Sequence, residues 1–359
     1  MTIPEQQADL LALTLCHPER ARSYSVRQWE RLVWQSRAAE LMAQLHLALS
    51  KAGTLSSAPE AAKRHLGLAW RISERHAQAV RSELRGLTEA LRPLDIPVLL
   101  LKGAAYCVLG NRASDGRIFN DIDILVPKSA LPDVEQRLTW DGWFPSNTNA
   151  YDERYYREWM HEIPPLEHKN RATVLDVHFT ILPPTSGICP NPQDFFSAAL
   201  RLPDEWAFFS VLAPADMVIH SACHLFFGEF HKGLRDLYDL HHLLTDFSVE
   251  KDFWSGLVAR AEHLGLALPL LDALRQCRRL YETEVSSYVI AELELVARTR
   301  WPHFSREWLF EHALRPAHLS AFGRTTKLAH WLTFVRSHWL RMPLPLLAYH
   351  LAHKLLASD

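Results

Sequence analysis

From Pro4 to about Arg92 the apolar positions keep a helical spacing. Leu10, Leu11, Leu13 and Leu15 open the pattern, and Trp29, Leu32, Val33, Ala38, Leu41, Leu45 and Leu47 continue it in steps of three and four. The turn-rich segment Gly53–Glu60 separates two helices, and a long amphipathic helix is predicted from Pro59 to about Leu91. No heptad is sustained, which argues against a coiled coil. The character changes at Pro93. Ile96–Leu101 is a short apolar run after a turn, as expected of a buried strand, and it leads straight into Lys102-Gly103-Ala104-Ala105 at a helix start. Further strands are predicted at Ile122–Val126, Trp143–Phe144, Met160–Ile163 and Thr173–Ile181, with a helix closing near Trp140. Beyond Pro183–Gly187 the helical period returns and holds to the C-terminus. It predicts helices at Pro214–Phe227, Lys232–Leu244, Val249–Leu264, Ala267–Leu280, Val285–Thr299 and Leu328–Arg341. The chain therefore reads as an N-terminal helical region (1–92), an α/β core (93–186) and a C-terminal helical region (187–359). This is an α+β arrangement whose core is too small for a full doubly wound sheet.

The length of 359 residues suits two or three domains. Hydrophobic residues at 48% and charged residues at 22% exclude a disordered or fibrous chain. A formal charge of −2 supplies no global attraction to nucleic acid or anionic lipid, although 20 histidines can make the chain cationic in mild acid. The five cysteines are scattered and form no CxxC pair, as expected of reduced thiols. The N-terminus lacks a basic leader segment, and no apolar run reaches a membrane-spanning length, so a cytoplasmic location is expected.

Three features carry candidate chemistry. In Asp121-Ile122-Asp123 the strand alternation sends both carboxylates to one side, about 7 Å apart. Such a pair calls for a divalent cation or a proton between the groups, and the geometry suits Mg²⁺. In Val174–Ile181 the alternation places Asp176, His178 and Thr180 opposite Leu175, Val177, Phe179 and Ile181. A carboxylate in that apolar setting needs a partner, either an arginine or a shared metal. His178 points the same way as Asp176, within reach of a bound phosphate or an acceptor, or else packs at the strand edge. Third, the glycine of Lys102-Gly103 at a strand-to-helix turn allows phosphate oxygens to approach backbone N–H groups.

The segment LLLKGAAYCVLGNRASDGRIFNDIDILV (Leu99–Val126) resembles the nucleotidyltransferase superfamily typified by DNA polymerase beta. More closely, it resembles the branch of uncharacterised nucleotidyltransferases, with LLKG, then an arginine, then DIDILV. Arg117 holds the arginine position, Leu175-Asp176-Val177-His178 matches a later LDxH strand, and His220/His224 with Arg235 and Asp239 resemble a helical H…RxxxD segment. The resemblance implies a nucleotidyltransferase-fold core with a mixed sheet. It also implies transfer of a nucleoside monophosphate from an NTP to an unidentified acceptor (small molecule, protein or RNA end), with release of pyrophosphate. Asp121 and Asp123 would hold one or two Mg²⁺ ions, Asp176 would complete one metal site and orient or deprotonate the acceptor, and Lys102, Gly103 and Arg117 would bind phosphates. Two departures stand out. The superfamily's glycine-serine pair is Gly103-Ala104 here, which removes a hydroxyl, and the gap from Gly103 to Asp121 is longer than in the simplest members.

Other motifs read more plainly. His220 and His224 share a helix face, but Ser221 stands where a hydrolytic zinc motif has glutamate, so structural histidines are expected. Lys232, Arg235, Asp236, Asp239, His241 and His242 read as a solvated helix face, or else as a face that touches a substrate. The stretch Arg315–Lys354, rich in Arg, His and Trp, is the candidate surface for an RNA or protein partner, or else a packed helical cap. The rival to an enzyme is a catalytically silent nucleotide-binding or partner-binding scaffold of the same fold.

Overall fold

A computed structural model describes residues 10–146, 149–171, 173–297 and 303–356. The segment before Leu10, where the first helix and the leader were sought, lies outside the described residues, as does Thr299 at the end of the helix expected from Val285. The N-terminal region folds as helices α1 (Leu10–Cys16), α2 (Val26–Ala38), α3 (Met42–Lys51) and α4 (Glu60–Leu91). Ser25 and Gln28 form a reciprocal capping box that starts α2. Along the second half of α4, Val80, Leu84, Leu87 and Leu91 are buried at helical spacing against the core.

Seven strands make one mixed sheet: β1 (Leu99–Leu100), β2 (Asp121–Leu125), β3 (Trp143–Pro145), β4 (Leu166–His168), β5 (Val174–His178), β6 (Leu200–Arg201) and β7 (Ser210–Val211). Their order is β3-β4-β5-β2-β1-β7-β6. The central β2 runs parallel to β5 and antiparallel to β1, and β1 runs parallel to β7. Four of the five β2 residues are buried, as a strand flanked on both edges and both faces requires. Between the strands lie α5 (Lys102–Leu109), α6 (Leu131–Asp141), α7 (Ala150–Arg154) and α8 (Pro192–Ala198). The C-terminal helices are α9 (Pro214–Phe226), α10 (Gly233–Phe247), α11 (Phe253–His263), α12 (Ala267–Tyr281), α13 (Ser287–Val296), α14 (His303–Ala313), α15 (Arg324–Arg341) and α16 (Leu344–Leu356).

Two expectations are corrected. Met160–Ile163 is not a strand: only Glu162 bridges to β5, opposite His178. Pro164 and Pro165 follow at once, and prolines cannot donate to a ladder. The stretch after Gly187 is not wholly helical, because β6 and β7 extend the sheet past it. Strands of two residues leave no period to detect.

One cluster of buried apolar side chains runs from Leu10 to Ala329, so the helical regions and the sheet share a core. All five cysteines are free thiols. No helix among the described residues is long and apolar enough to cross a membrane. Ile124 sits at the middle of the core with none of its surface exposed. Ile124→Ala should cost about 2–5 kcal/mol in urea unfolding, whereas Trp140→Ala, on a side chain 66% exposed, should stay within about 0.5 kcal/mol.

Candidate active site

The parallel pairing of β2 with β5 sets Asp123 directly opposite Asp176 and Asp121 opposite Val174. Facing residues of adjacent strands lie about 5 Å apart and point the same way, so two carboxylates are forced together. Asp123 is 3% exposed. Oδ1 of Asp176 is buried without a hydrogen-bond partner, and no arginine pairs with this side chain among the described residues. Burial, reinforced by Asp123 and Glu162, pushes the Asp176 carboxyl up to about 8. Asp121, at the exposed start of β2, is raised by burial of its carboxyl and by Asp123. Burial alone would raise Asp123 too, but the Lys102 ammonium and the His178 imidazole outweigh it and hold this carboxyl far below the usual range.

The Lys102 contact follows from the strand ladder. Leu101 N donates to Asp123 O at 3.0 Å, which carries β1 alongside the acid and sets the next residue beside it. Lys102 then takes φ +43°, a left-handed conformation costly for a non-glycine residue. In that conformation its Nζ lies 2.6 Å from Asp123 Oδ1. Gly103 follows in the first turn of α5, where backbone N–H groups lack intrahelical partners. A Cβ there would stand 2.9 Å from Phe119 Cδ1 and 3.1 Å from Arg117 Nε. Gly116, at φ +72° and with an equivalent Cβ 2.9 Å from the Ala43 carbonyl carbon, lets the loop bearing Arg117 close on α3.

His178 is 1% exposed and faces carboxylates with both ring nitrogens. Nε2 lies 3.0 Å from Asp123 Oδ1, and Nδ1 lies 3.3 Å from Glu162 Oε2. Burial disfavours its charge, yet Glu162 and Asp123 raise its pKa overall. The ring is thus tied to Asp123 and Glu162. Glu162 and His161 were missed by sequence reading. Their only signal was the pair His161-Glu162 ahead of the two prolines, which no periodicity marked.

Beside Asp121 opens a cleft of about 350 Å³ lined by Gly103, Arg117, Asp121, His224, Lys232, Arg235 and Arg341. Asp123 and Asp176 do not line it. Arg117 pairs with Asp239 across from the loop to α10. Arg235 bonds Glu40 Oε2 at 2.6 Å and Asp236 Oδ1 at 2.7 Å. The expected solvated face on α10 is thus overturned: Arg235 and Asp239 are buried, and His241 Nδ1 lies 2.8 Å from Thr283 Oγ1. His220 is buried, whereas His224 opens onto the cleft, where Lys102 and its enclosed surroundings push its imidazole down to about 3. In the C-terminal stretch Arg315 pairs with Glu311 and Arg336 donates to the Phe226 carbonyl, as in a packed helical cap.

The raised Asp176 carboxyl makes a signed prediction. A carboxyl that is protonated when folded and ionised when unfolded stabilises the fold at low pH, and that contribution is lost as pH rises from about 4 towards 8. Without added metal, Asp176→Asn should therefore gain melting temperature over the wild type progressively from pH 5 to pH 8. A difference that stays constant over that range would show that the group does not titrate there.

No curated protein matches the chain. A family model described as uncharacterised nucleotidyltransferase matches residues 25–282, a span that takes in both acid-bearing strands, the Lys102-Gly103 turn and the helices around the cleft, and the chain belongs to this family.

Proposed function

We propose that this protein moves a nucleoside monophosphate from an NTP to an acceptor hydroxyl or phosphate, with release of pyrophosphate. The observation that carries the reading is the buried Asp176 oxygen, unpartnered and set opposite Asp123 in the sheet register. Such an oxygen needs a cation or a proton, and an all-carboxylate donor set on two rigid strands fits Mg²⁺. Asp121, Asp123 and Asp176 would hold it; when bound, Mg²⁺ supplies neutralisation of charge on the triphosphate and the departing pyrophosphate.

The chain's own groups do the rest. Lys102 and His178 fix the orientation of Asp123. The first turn of α5 at Gly103 presents N–H groups to phosphate oxygens, and Lys232, Arg235 and Arg341 line the cleft alongside. Arg117 shapes this wall while tied to Asp239. Asp176, ionised once a cation offsets the charge of Asp123 and Glu162, would orient the acceptor and take its proton. The cleft volume of about 350 Å³ falls within the range of small-ligand sites. The Lys102–Asp123 ion pair, which places a protein cation on a ligand oxygen, and the missing hydroxyl at Ala104 favour the second reading, a silent nucleotide-binding scaffold.

Incubation with each α-labelled NTP, Mg²⁺ and cell extract should label an acceptor. Asp121→Asn, Asp123→Asn and Asp176→Asn should each remove most of that labelling, by about 100-fold or more. Near-normal labelling by Asp176→Asn would exclude it from the reaction. Mg²⁺ and NTP together should raise the melting temperature more than either alone, and Asp121→Asn should abolish the gain. Binding without labelling would identify the scaffold.

A further inference from the structure

We propose that His161, Glu162 and His178 form a binding site for one divalent transition-metal ion of the zinc class, distinct from the carboxylates of β2 and β5. One ligand atom from each of the three lies within 4.8 Å of the others. His178 Nδ1 is 3.3 Å and His161 Nε2 is 3.9 Å from Glu162 Oε2. Ligands bound at about 2.0–2.2 Å to a common ion take up similar mutual spacings.

Hydrogen bonding does not account for the arrangement. His178 Nδ1 is buried beside the Glu162 carboxylate and yet has no hydrogen-bond partner. When the ring is protonated, Nδ1 faces the Glu162 charge at 3.3 Å but still lacks a hydrogen bond, and a metal ion in place of that proton would bind both groups directly. The segment holding His161 and Glu162 is pinned at the required place: Phe179 N donates to the His161 carbonyl at 3.0 Å, and Ile163 N donates to the Val177 carbonyl at 3.1 Å. His161 and Glu162 are half-buried, which leaves an ion a path to the site.

Donor chemistry separates this site from its neighbour. Two imidazole nitrogens and one carboxylate oxygen suit Zn²⁺, whereas Mg²⁺ prefers oxygen ligands throughout. The second nitrogen of His178 adds the link. With the ion on Nδ1, the ring proton sits on Nε2, 3.0 Å from Asp123 Oδ1, and is donated to that carboxylate. The ion would thereby set the tautomer of His178 and the orientation of Asp123. Binding of the ion does not depend on the transfer reaction.

The test uses the full chain, stripped by a chelator and titrated with ZnCl₂ against a chromophoric competitor, then with CoCl₂ to read visible absorption. Wild type should take up one tight equivalent and show Co²⁺ bands of four- or five-coordinate ligation. Glu162→Gln and His161→Ala should each weaken that equivalent by at least about 100-fold, the upper end of what losing an outer-shell partner costs. Asp176→Asn should retain it. Circular dichroism melts check that the variants are folded, and the near-isosteric Glu162→Gln keeps the test open if His161→Ala is not. Absence of a tight equivalent in the wild type, or undiminished binding in both His161 and Glu162 variants, would overturn the proposal. Loss of binding in Asp176→Asn would do so too, by placing the ion among the carboxylates of β2 and β5.

Discussion

The constraint on which the rest depends is the forced meeting of Asp123 and Asp176 on neighbouring parallel strands. Two carboxylates held about 5 Å apart in a protein interior repel strongly. The surroundings answer that repulsion asymmetrically. Asp123 is hydrogen-bonded by Lys102 and His178 and stays ionised, while Asp176 Oδ1 has no hydrogen bond and burial with Asp123 and Glu162 drives the group towards its protonated form. Environments that push two like groups apart in this way are typical of sites that divide labour between them.

Much of the surrounding structure serves this arrangement. The left-handed Lys102, a conformation costing about 1–3 kcal/mol, is accepted because it delivers the ammonium onto Asp123. His178 is wedged between Asp123 and Glu162, so a residue outside the ladder braces the central strand. Helical regions contribute as well. Glu40, between α2 and α3, bonds Arg235 and Lys232 on the far wall of the cleft, and Asp239 of α10 holds Arg117. Buried ion pairs of this kind add little net stability but suffer badly when one partner is lost, so they lock the relative placement of the segments they join.

The cleft and the acid cluster adjoin at Asp121 and Gly103. Cationic groups line the cleft, and carboxylates stand on the central strands β2 and β5 beside it. Of the three acids only Asp121 reaches the cleft wall, where it faces the cationic side chains of Arg117 and Arg235.

Local pattern determined the parts of this protein that local physics controls. Helices α4, α9 to α13 and α15 followed from apolar spacing, whereas the short α7 and α8 and the later α14 did not, and β2 and β5 followed from alternation that placed Asp121, Asp123, Asp176 and His178 on strands. Lys102-Gly103 was legible as a strand-to-helix turn because an apolar run ended in a glycine. Tertiary structure decided what these residues touch. Only the parallel register brings Asp123 to Asp176 and His178, 53 and 55 positions away in the chain. Glu162 and His161 entered the site through a single bridge to β5, with no period to announce them. The partners of Arg235 and Asp239 were hidden for the same reason: their charges looked solvated in sequence, and packing of α10 against the loop at Glu40 and Arg117 buried them. Side-chain pairing across distant segments depends on how the layers stack, and hydrophobic periodicity along one segment carries no record of that.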